Sequence, residues 1–224
     1  MEGGRIYVVG ERVTALSATI GERLWEGETG SDVPRGTAAA DGVAYATSGG
    51  GRDGFDGLYA FDAADGSLLW ETRNVGESHA PPVVGDDRVF VVRADGSLHA
   101  VAGSDGSTVW TRGLDGRSWE PPAVADGVVY VAGSNGRRLR ALDAETGDER
   151  WSYEHDVGYG TAPAVAGDTV YEIVDDGSGY LFALDAETGE KRWRRDLGVA
   201  PKTGPVVGSG RIYYGAANGG GSFA

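Results

Sequence analysis

The sequence predicts an all-β fold, a β-propeller of four-stranded antiparallel blades with about five blades present. Three observations carry that prediction. Tryptophan recurs with a period of about 40–45 residues. A second aromatic recurs in step with it. The stretches between are short, β-branched and bounded by Gly, Asp, Ser or Asn. No segment keeps a helical period of apolar residues for three turns, which excludes solenoids of helix pairs.

The tryptophan landmark is an eleven-residue segment with alanine first, glycine seventh and tryptophan last. Its members are Ala15, Gly21 and Trp25; Ala60, Gly66 and Trp70; Ala100, Gly106 and Trp110; Ala141, Gly147 and Trp151; Ala183, Gly189 and Trp193. Successive tryptophans lie 45, 40, 41 and 42 residues apart. The second landmark is Tyr45, Phe90, Tyr130, Tyr171 and Tyr213, each eight residues after the start of an apolar segment. Each unit reads as four strands. The first follows proline, as at Pro82–Val84. The second is β-branched and aromatic, as at Arg88–Val92 or Val128–Val131. The third is Leu139–Asp143 or Tyr180–Asp185, and a tight AETG turn leads into the tryptophan strand.

The recurrence has a physical reason. A buried indole removes roughly 150–250 Å² from water, and a flat ring needs a surface without side chains to lie on. Glycine of a neighbouring repeat supplies one because it has no Cβ. Alanine leaves room beside it, and aspartate at the third position (Asp62, Asp143, Asp185) accepts backbone N–H bonds in the turn. The pattern A-x-D-x-x-T-G-x-x-x-W resembles the tryptophan-docking motif of the PQQ-like β-propeller repeat family. That family includes alcohol quinoproteins and an outer-membrane assembly lipoprotein whose propeller carries no cofactor. The resemblance covers nearly the whole chain and implies the fold. It does not by itself imply a function.

The repeats divide the chain into a partial blade at 1–30, blades at 31–75, 76–115, 116–156 and 157–198, and a partial blade at 199–224. Tyr7 already fills the aromatic slot of the first unit, and Ala224 falls at the first position of a sixth docking segment. The expectation is an incomplete ring of a seven- or eight-bladed propeller. The alternative is that Pro205–Gly208 fills the vacant inner-strand position of the first unit and closes a five-bladed ring.

The 224 residues carry a formal net charge of −14. A duplex nucleic-acid binder needs a basic face, so no nucleic-acid partner is expected. Lys191 and Lys202 are the only lysines. Low lysine with abundant Asp and Glu is the composition of proteins from salt-loving organisms, or of a GC-rich coding sequence. No cysteine is present, so neither disulfides nor thiolate metal sites can form. No apolar run is long enough for a transmembrane helix, and Met1–Gly10 reads as a strand, not a signal peptide. The resemblance implies an extracytoplasmic location; a chain starting at Met1 would stay in the cytoplasm.

Catalytic signatures are missing: there is no G-x-S-x-G, P-loop or H-E-x-x-H. Gly49-Gly50-Gly51-Arg52-Asp53-Gly54 fits G-x-G-x-x-G, but a strand follows where a phosphate site needs a helix. His79, His99 and His155 lie in different repeats without ligand spacing and read as structural or surface residues. The acidic turns Asp53 to Asp56 and Asp175-Asp176-Gly177 read as solvated hairpins, not calcium sites. Quinone-dependent members of the family carry a vicinal cysteine pair and a calcium-binding acidic set, neither of which maps onto this chain. No cofactor or metal is therefore expected; PQQ and calcium belong only to an alternative in which the chain is part of a quinoprotein dehydrogenase.

The segments entering the inner strands are where the repeats diverge. Arg35, His79, Trp119 with Glu120, Tyr159 and Lys202 occupy nearly equivalent places there. They make a candidate ligand- or partner-binding funnel on one face. The leading reading is a non-catalytic scaffold or binding module for a protein or small ligand. A sensor domain of a larger protein is a further alternative.

Overall fold

The computed structural model describes residues 3–30, 34–49, 56–116, 119–133, 137–156, 158–216 and 221–223. Gly50 to Gly54 of the glycine run, Asp53 with them, and Ala224 lie outside the described residues. All regular structure among the described residues is strand. The chain forms two compact units, residues 1–112 and 113–224.

Unit one holds a three-stranded sheet of β1 (Arg5–Val9), β2 (Val13–Ser17) and β3 (Arg23–Gly27). A four-stranded sheet follows: β4 (Pro34–Ala40), β5 (Val43–Ser48), β6 (Gly57–Asp62) and β7 (Leu68–Thr72). The third sheet is β8 (Val83–Gly85), β9 (Arg88–Val92), β10 (Ser97–Ala102) and β11 (Thr108–Gly113). Unit two begins with β12 (Ala123–Ala125), β13 (Val128–Ala132), β14 (Arg138–Asp143) and β15 (Glu149–Glu154). Its next sheet is β16 (Tyr159–Gly160), β17 (Ala164–Ala166), β18 (Thr169–Asp175), β19 (Tyr180–Asp185) and β20 (Lys191–Asp196). Its last is β21 (Val206–Gly208), β22 (Arg211–Tyr214) and β23 (Gly221–Phe223). Every pair with a described register is antiparallel and joins consecutive strands, apart from β16 with β18.

Two details depart from the sequence expectation. The sheet of β18 has five strands because its inner strand is broken. Tyr159 and Gly160 pair with Asp175 and Val174, pairing resumes at Ala164, and Pro163 between them has no N–H to give. Val206–Gly208 pairs with β22, and the first sheet has three strands among the described residues. That segment therefore does not complete the first sheet, and closure of a five-bladed ring by it is corrected. The reason is local: Ser209-Gly210, with φ of 52° and 70°, folds it into a tight hairpin with β22.

The same hairpin recurs at Asp41-Gly42 (φ 51° and 78°) and Asp126-Gly127 (50° and 69°). Two successive left-handed residues define a type I′ turn, whose twist matches the strands it joins. Across each sheet the two aromatic landmarks meet over the alanine. Tyr45 is opposite Ala60 and Ala60 opposite Trp70; Tyr130, Ala141 and Trp151 repeat the row, as do Tyr171, Ala183 and Trp193. Strands lie about 4.8 Å apart, so rings two strands away touch only across a methyl group. Their centroids are 5.8 Å apart for Tyr45–Trp70 and Tyr130–Trp151, and 6.0 Å for Tyr171–Trp193. Just after the alanine the register slips by one residue, a β-bulge repeated at Ala15, Ala60, Ala141 and Ala183.

The turn before each tryptophan strand is closed by its aspartate. Asp143 Oδ1 accepts from the backbone N–H groups of Glu145 and Thr146, and Asp185 does the same for Glu187 and Thr188. Hydrogen bonds from Arg150 and Arg192, added to those of the turn backbone, hold the Asp143 and Asp185 carboxyls at about 2. The turn glycine is left-handed each time, with φ of 78° at Gly66, 71° at Gly106 and 73° at Gly189.

The indoles lie on these glycines. A β-carbon on Gly66 would stand 2.6 Å from Trp25, one on Gly106 2.6 Å from Trp70, and one on Gly189 2.6 Å from Trp151. Each indole N–H donates to the carbonyl three residues before the glycine: Trp25 to Ala63 at 3.0 Å, Trp70 to Gly103 at 2.9 Å and Trp151 to Ala186 at 2.9 Å.

Gly66 and Gly42 share a φ of 78°, but Gly42 faces open space. Gly66→Ala should therefore cost roughly 3 kcal/mol and Gly42→Ala about 1 kcal/mol, the backbone share alone. Urea unfolding of the two variants measures this; equal losses would remove the ring contact from the account.

Candidate functional site

In unit one, Arg35 is the extra residue of a bulge in β4, since Pro34 pairs with Ser48 and Gly36 with Thr47. Its side chain is exposed and its Nε donates to the Gly49 carbonyl at 3.0 Å. Gly36 abuts Pro81 with no room for a β-carbon, which brings the segments of Arg35 and His79 together. Ser78 and Thr47 both donate to the Ala80 carbonyl at 3.0 Å and fix that loop. His79 Nε2 lies 3.1 Å from Glu77 Oε1.

Unit two repeats the arrangement. Glu120 Oε2 accepts from the Ala162 N–H at 3.2 Å, and Ala162 in turn abuts Gly204. The segments of Trp119 and Glu120, of Tyr159 and of Lys202 are thus joined in sequence. Lys202 is held by its backbone, whose N–H donates to the Gly215 carbonyl at 2.8 Å. Trp119 is 59% exposed and Tyr159 66% exposed. Tyr159 borders a depression of about 370 Å³ with Arg137, Asp175 and Asp176. Arg35 and Tyr159 belong to strands, not to free loops, and Glu120 spends one carboxylate oxygen on loop structure.

The acidic turn at Asp175-Asp176 is used internally. Asp175 Oδ1 accepts from Gly177 N–H, and Asp176 Oδ1 from the N–H groups of Ser178 and Gly179. Among the described residues no group of three or more His, Asp or Glu side chains could hold a metal ion. His99 is buried between two hydroxyls, Ser97 at 3.1 Å and Thr111 at 3.2 Å, and burial lowers its pKa.

One buried pair escaped the sequence reading. His155 Nε2 lies 2.6 Å from Glu172 Oε2, both side chains buried. The rings of Phe182 and Tyr153 pack against the imidazole, with centroids at 4.7 and 5.1 Å. Glu172 Oε1 has no hydrogen-bond partner and faces Gly160, where no β-carbon would fit. The signal was a glutamate among the apolar residues in the middle of the strand Thr169–Asp175 (TVYEIVD).

Up-and-down antiparallel sheets, three of which lay an indole (Trp25, Trp70, Trp151) on the glycine turn of the next, are the repeats of a β-propeller. The chain belongs to the family described as outer membrane protein assembly factor BamB, whose model matches residues 9–117 and 99–223. Solved structures share the fold. A computationally designed protein, Ika8, superposes with a TM-score of 0.76 at 17% identity, over 96% of this chain and 65% of that one. BamB from Moraxella catarrhalis gives 0.59 at 20% identity, over 97% and 77%. Quinohemoprotein alcohol dehydrogenase from Comamonas testosteroni gives 0.72 at 16% identity, over 97% and 55%. The chain thus spans just under two thirds of the designed protein and about half of the dehydrogenase. No curated protein matches its sequence.

Burial raises the Glu172 pKa above the ordinary 4.5, with the His155 hydrogen bond opposing. A carboxyl raised in the folded state contributes stability that is complete below its unfolded pKa and lost as pH rises through the folded one. Glu172→Gln should therefore gain melting temperature relative to the parent as pH rises from the ordinary glutamate range toward neutrality. Parallel curves for the two proteins would show that Glu172 titrates normally.

Proposed function

We propose that this chain is a non-catalytic propeller scaffold that binds a protein or small ligand through the segments entering its inner strands. The observation that carries the reading is the exposure of Trp119 (59%) and Tyr159 (66%) on adjoining segments of unit two. Large aromatic side chains left in water beside charged neighbours are the usual anchors of a binding surface. Arg35 and His79 occupy the corresponding segments of unit one and make a candidate surface of that unit. A net charge of −14 favours partners other than nucleic acid. The matched family carries the name of an outer-membrane assembly factor, which supports a protein partner and a location outside the cytoplasm.

A second reading rests on the likeness to quinohemoprotein alcohol dehydrogenases. In it, the chain is part of a quinone-dependent dehydrogenase, and PQQ with calcium restores dye-linked alcohol oxidation. A spectral shift on adding PQQ and calcium separates this reading from the scaffold. A sensor domain of a larger protein makes the same use of the entry segments and is tested by the same surface variants.

Trp119→Ala should leave stability within about 0.5 kcal/mol, whereas Trp151→Ala should cost roughly 3–5 kcal/mol. A photo-crosslinking residue at 119 or 159 should capture one discrete partner that the same residue at Leu24, exposed on β3, does not. Equal capture from all three positions, or greater destabilisation at Trp119 than at Trp151, would overturn the assignment.

A further inference from the structure

The segment that carries Tyr159 is lightly held. Only Tyr159 and Gly160 form β16, and pairing with β18 resumes at Ala164, beyond Pro163. Between them the Thr161 N–H donates to the Ile173 carbonyl at 2.8 Å. Gly158, left-handed with φ of 57°, abuts the Asp175 carbonyl. Just upstream, two side chains clamp the chain to the sheet of β18. His155 lies on Glu172 and Phe182, and Asp156 lies 3.3 Å from Arg194 Nη1. Glu172, Phe182 and Arg194 stand opposite one another on β18, β19 and β20 and form one row.

Gly160 closes over the end of that row. It pairs with Val174, which shares a face of β18 with Glu172. A β-carbon on Gly160 would collide with Glu172 Oε1 and would stand 3.6 Å from the Ala132 methyl. The other elements packed here bring little charge to the carboxyl. Tyr153 of β15 meets the imidazole, and Arg194 of β20 meets the Phe182 ring and Asp156. Ala132 of β13 and Gly160 of β16 have no ionisable group. His155 is the ionisable partner of Glu172 among the described residues.

With one acidic proton shared across 2.6 Å the buried pair is neutral. When that proton leaves, a carboxylate remains whose Oε1 has no donor among the described residues. Such an atom is strongly disfavoured away from water. Two movements would bring water to it. Shifting Glu172 would disrupt β18, which is paired on both sides. Lifting Gly160 disrupts only the two-residue strand and the Thr161 bond.

We propose that the His155–Glu172 pair is a proton-operated latch on the Tyr159 segment. With the proton bound, residues 158–161 stay docked on β18; loss of the proton to solvent releases them and admits water to Glu172 Oε1. The depression between Tyr159, Arg137, Asp175 and Asp176 is built on the docked segment, so its release dismantles that surface. This consequence for a partner rests on the binding reading above, whereas the latch itself needs no partner. Linkage fixes the direction. Once released, Glu172 meets water and returns toward the ordinary 4.5, below its docked value. Docking is therefore complete below the ordinary value and weakens as pH rises, until the docked carboxyl itself ionises.

Amide exchange of the 224-residue chain, corrected for its intrinsic dependence on pH, tests the latch. Between pH of about 4.5 and about 7.5, protection of the Thr161 N–H should fall at least about tenfold in the parent. Leu181–Leu184 of β19 should keep theirs. Glu172→Gln, neutral at every pH and nearly the same size, should hold Thr161 protected throughout. Glu172→Met, neutral and unbranched, takes its place if the glutamine variant loses the parent's circular dichroism. A parent whose Thr161 protection ignores pH would overturn the latch. So would a neutral variant that loses protection in step with the parent. Both results are read without a partner, so they stand apart from success or failure of capture at position 159.

Discussion

The structure depends on one contact, an indole laid flat on a left-handed glycine with its N–H on a carbonyl of the same turn. The contact satisfies two demands together. It removes a large apolar surface from water, and it gives the one polar atom of that surface a partner. Trp25, Trp70 and Trp151 all achieve both. Because the acceptor is backbone, the bond survives any change of side chain in the turn except at glycine. That explains how the turns around Gly66, Gly106 and Gly189 vary in composition yet keep one conformation.

The acidic composition finds a use in the same turns. Asp143 and Asp185 cap their own backbone and bind Arg150 and Arg192, which also reach Gly127 and Asp168 on the facing hairpins. These pairs are exposed, so their worth lies in fixing turn geometry more than in net energy. The costly electrostatics are inside. Glu172, against Gly160 and His155, is a carboxyl that the fold of unit two holds against its preference for water.

The repeat made the strands legible. Tryptophan spacing, the aromatic landmark and the turn residues located β9, β13, β14 and β19 nearly to the residue, because those signals are local and periodic. The role of the alanine was legible only in part. Sequence marked it as small, while the reason, two rings meeting across it from strands on either side, needs the register. The left-handed turn glycines and the bulges are likewise properties of pairing. Of the candidate site, exposure of Trp119 and Tyr159 follows from their falling outside both landmarks. The engagement of Glu120 with Ala162 and the burial of His155 against Glu172 depend on contacts between sheets, and the bulge that aims Arg35 depends on the register of β4 with β5; spacing along the chain encodes neither.

The docking carbonyl belongs to the peptide and the docking surface to a residue without a side chain, so the seat recognises shape alone. Any repeat that preserves alanine, glycine and tryptophan can follow any other. Gene duplication or loss of a whole repeat would then create no mismatched neighbours, and blade number could drift during evolution without a compensating mutation. Selection on the segments entering the inner strands could proceed separately, one repeat at a time.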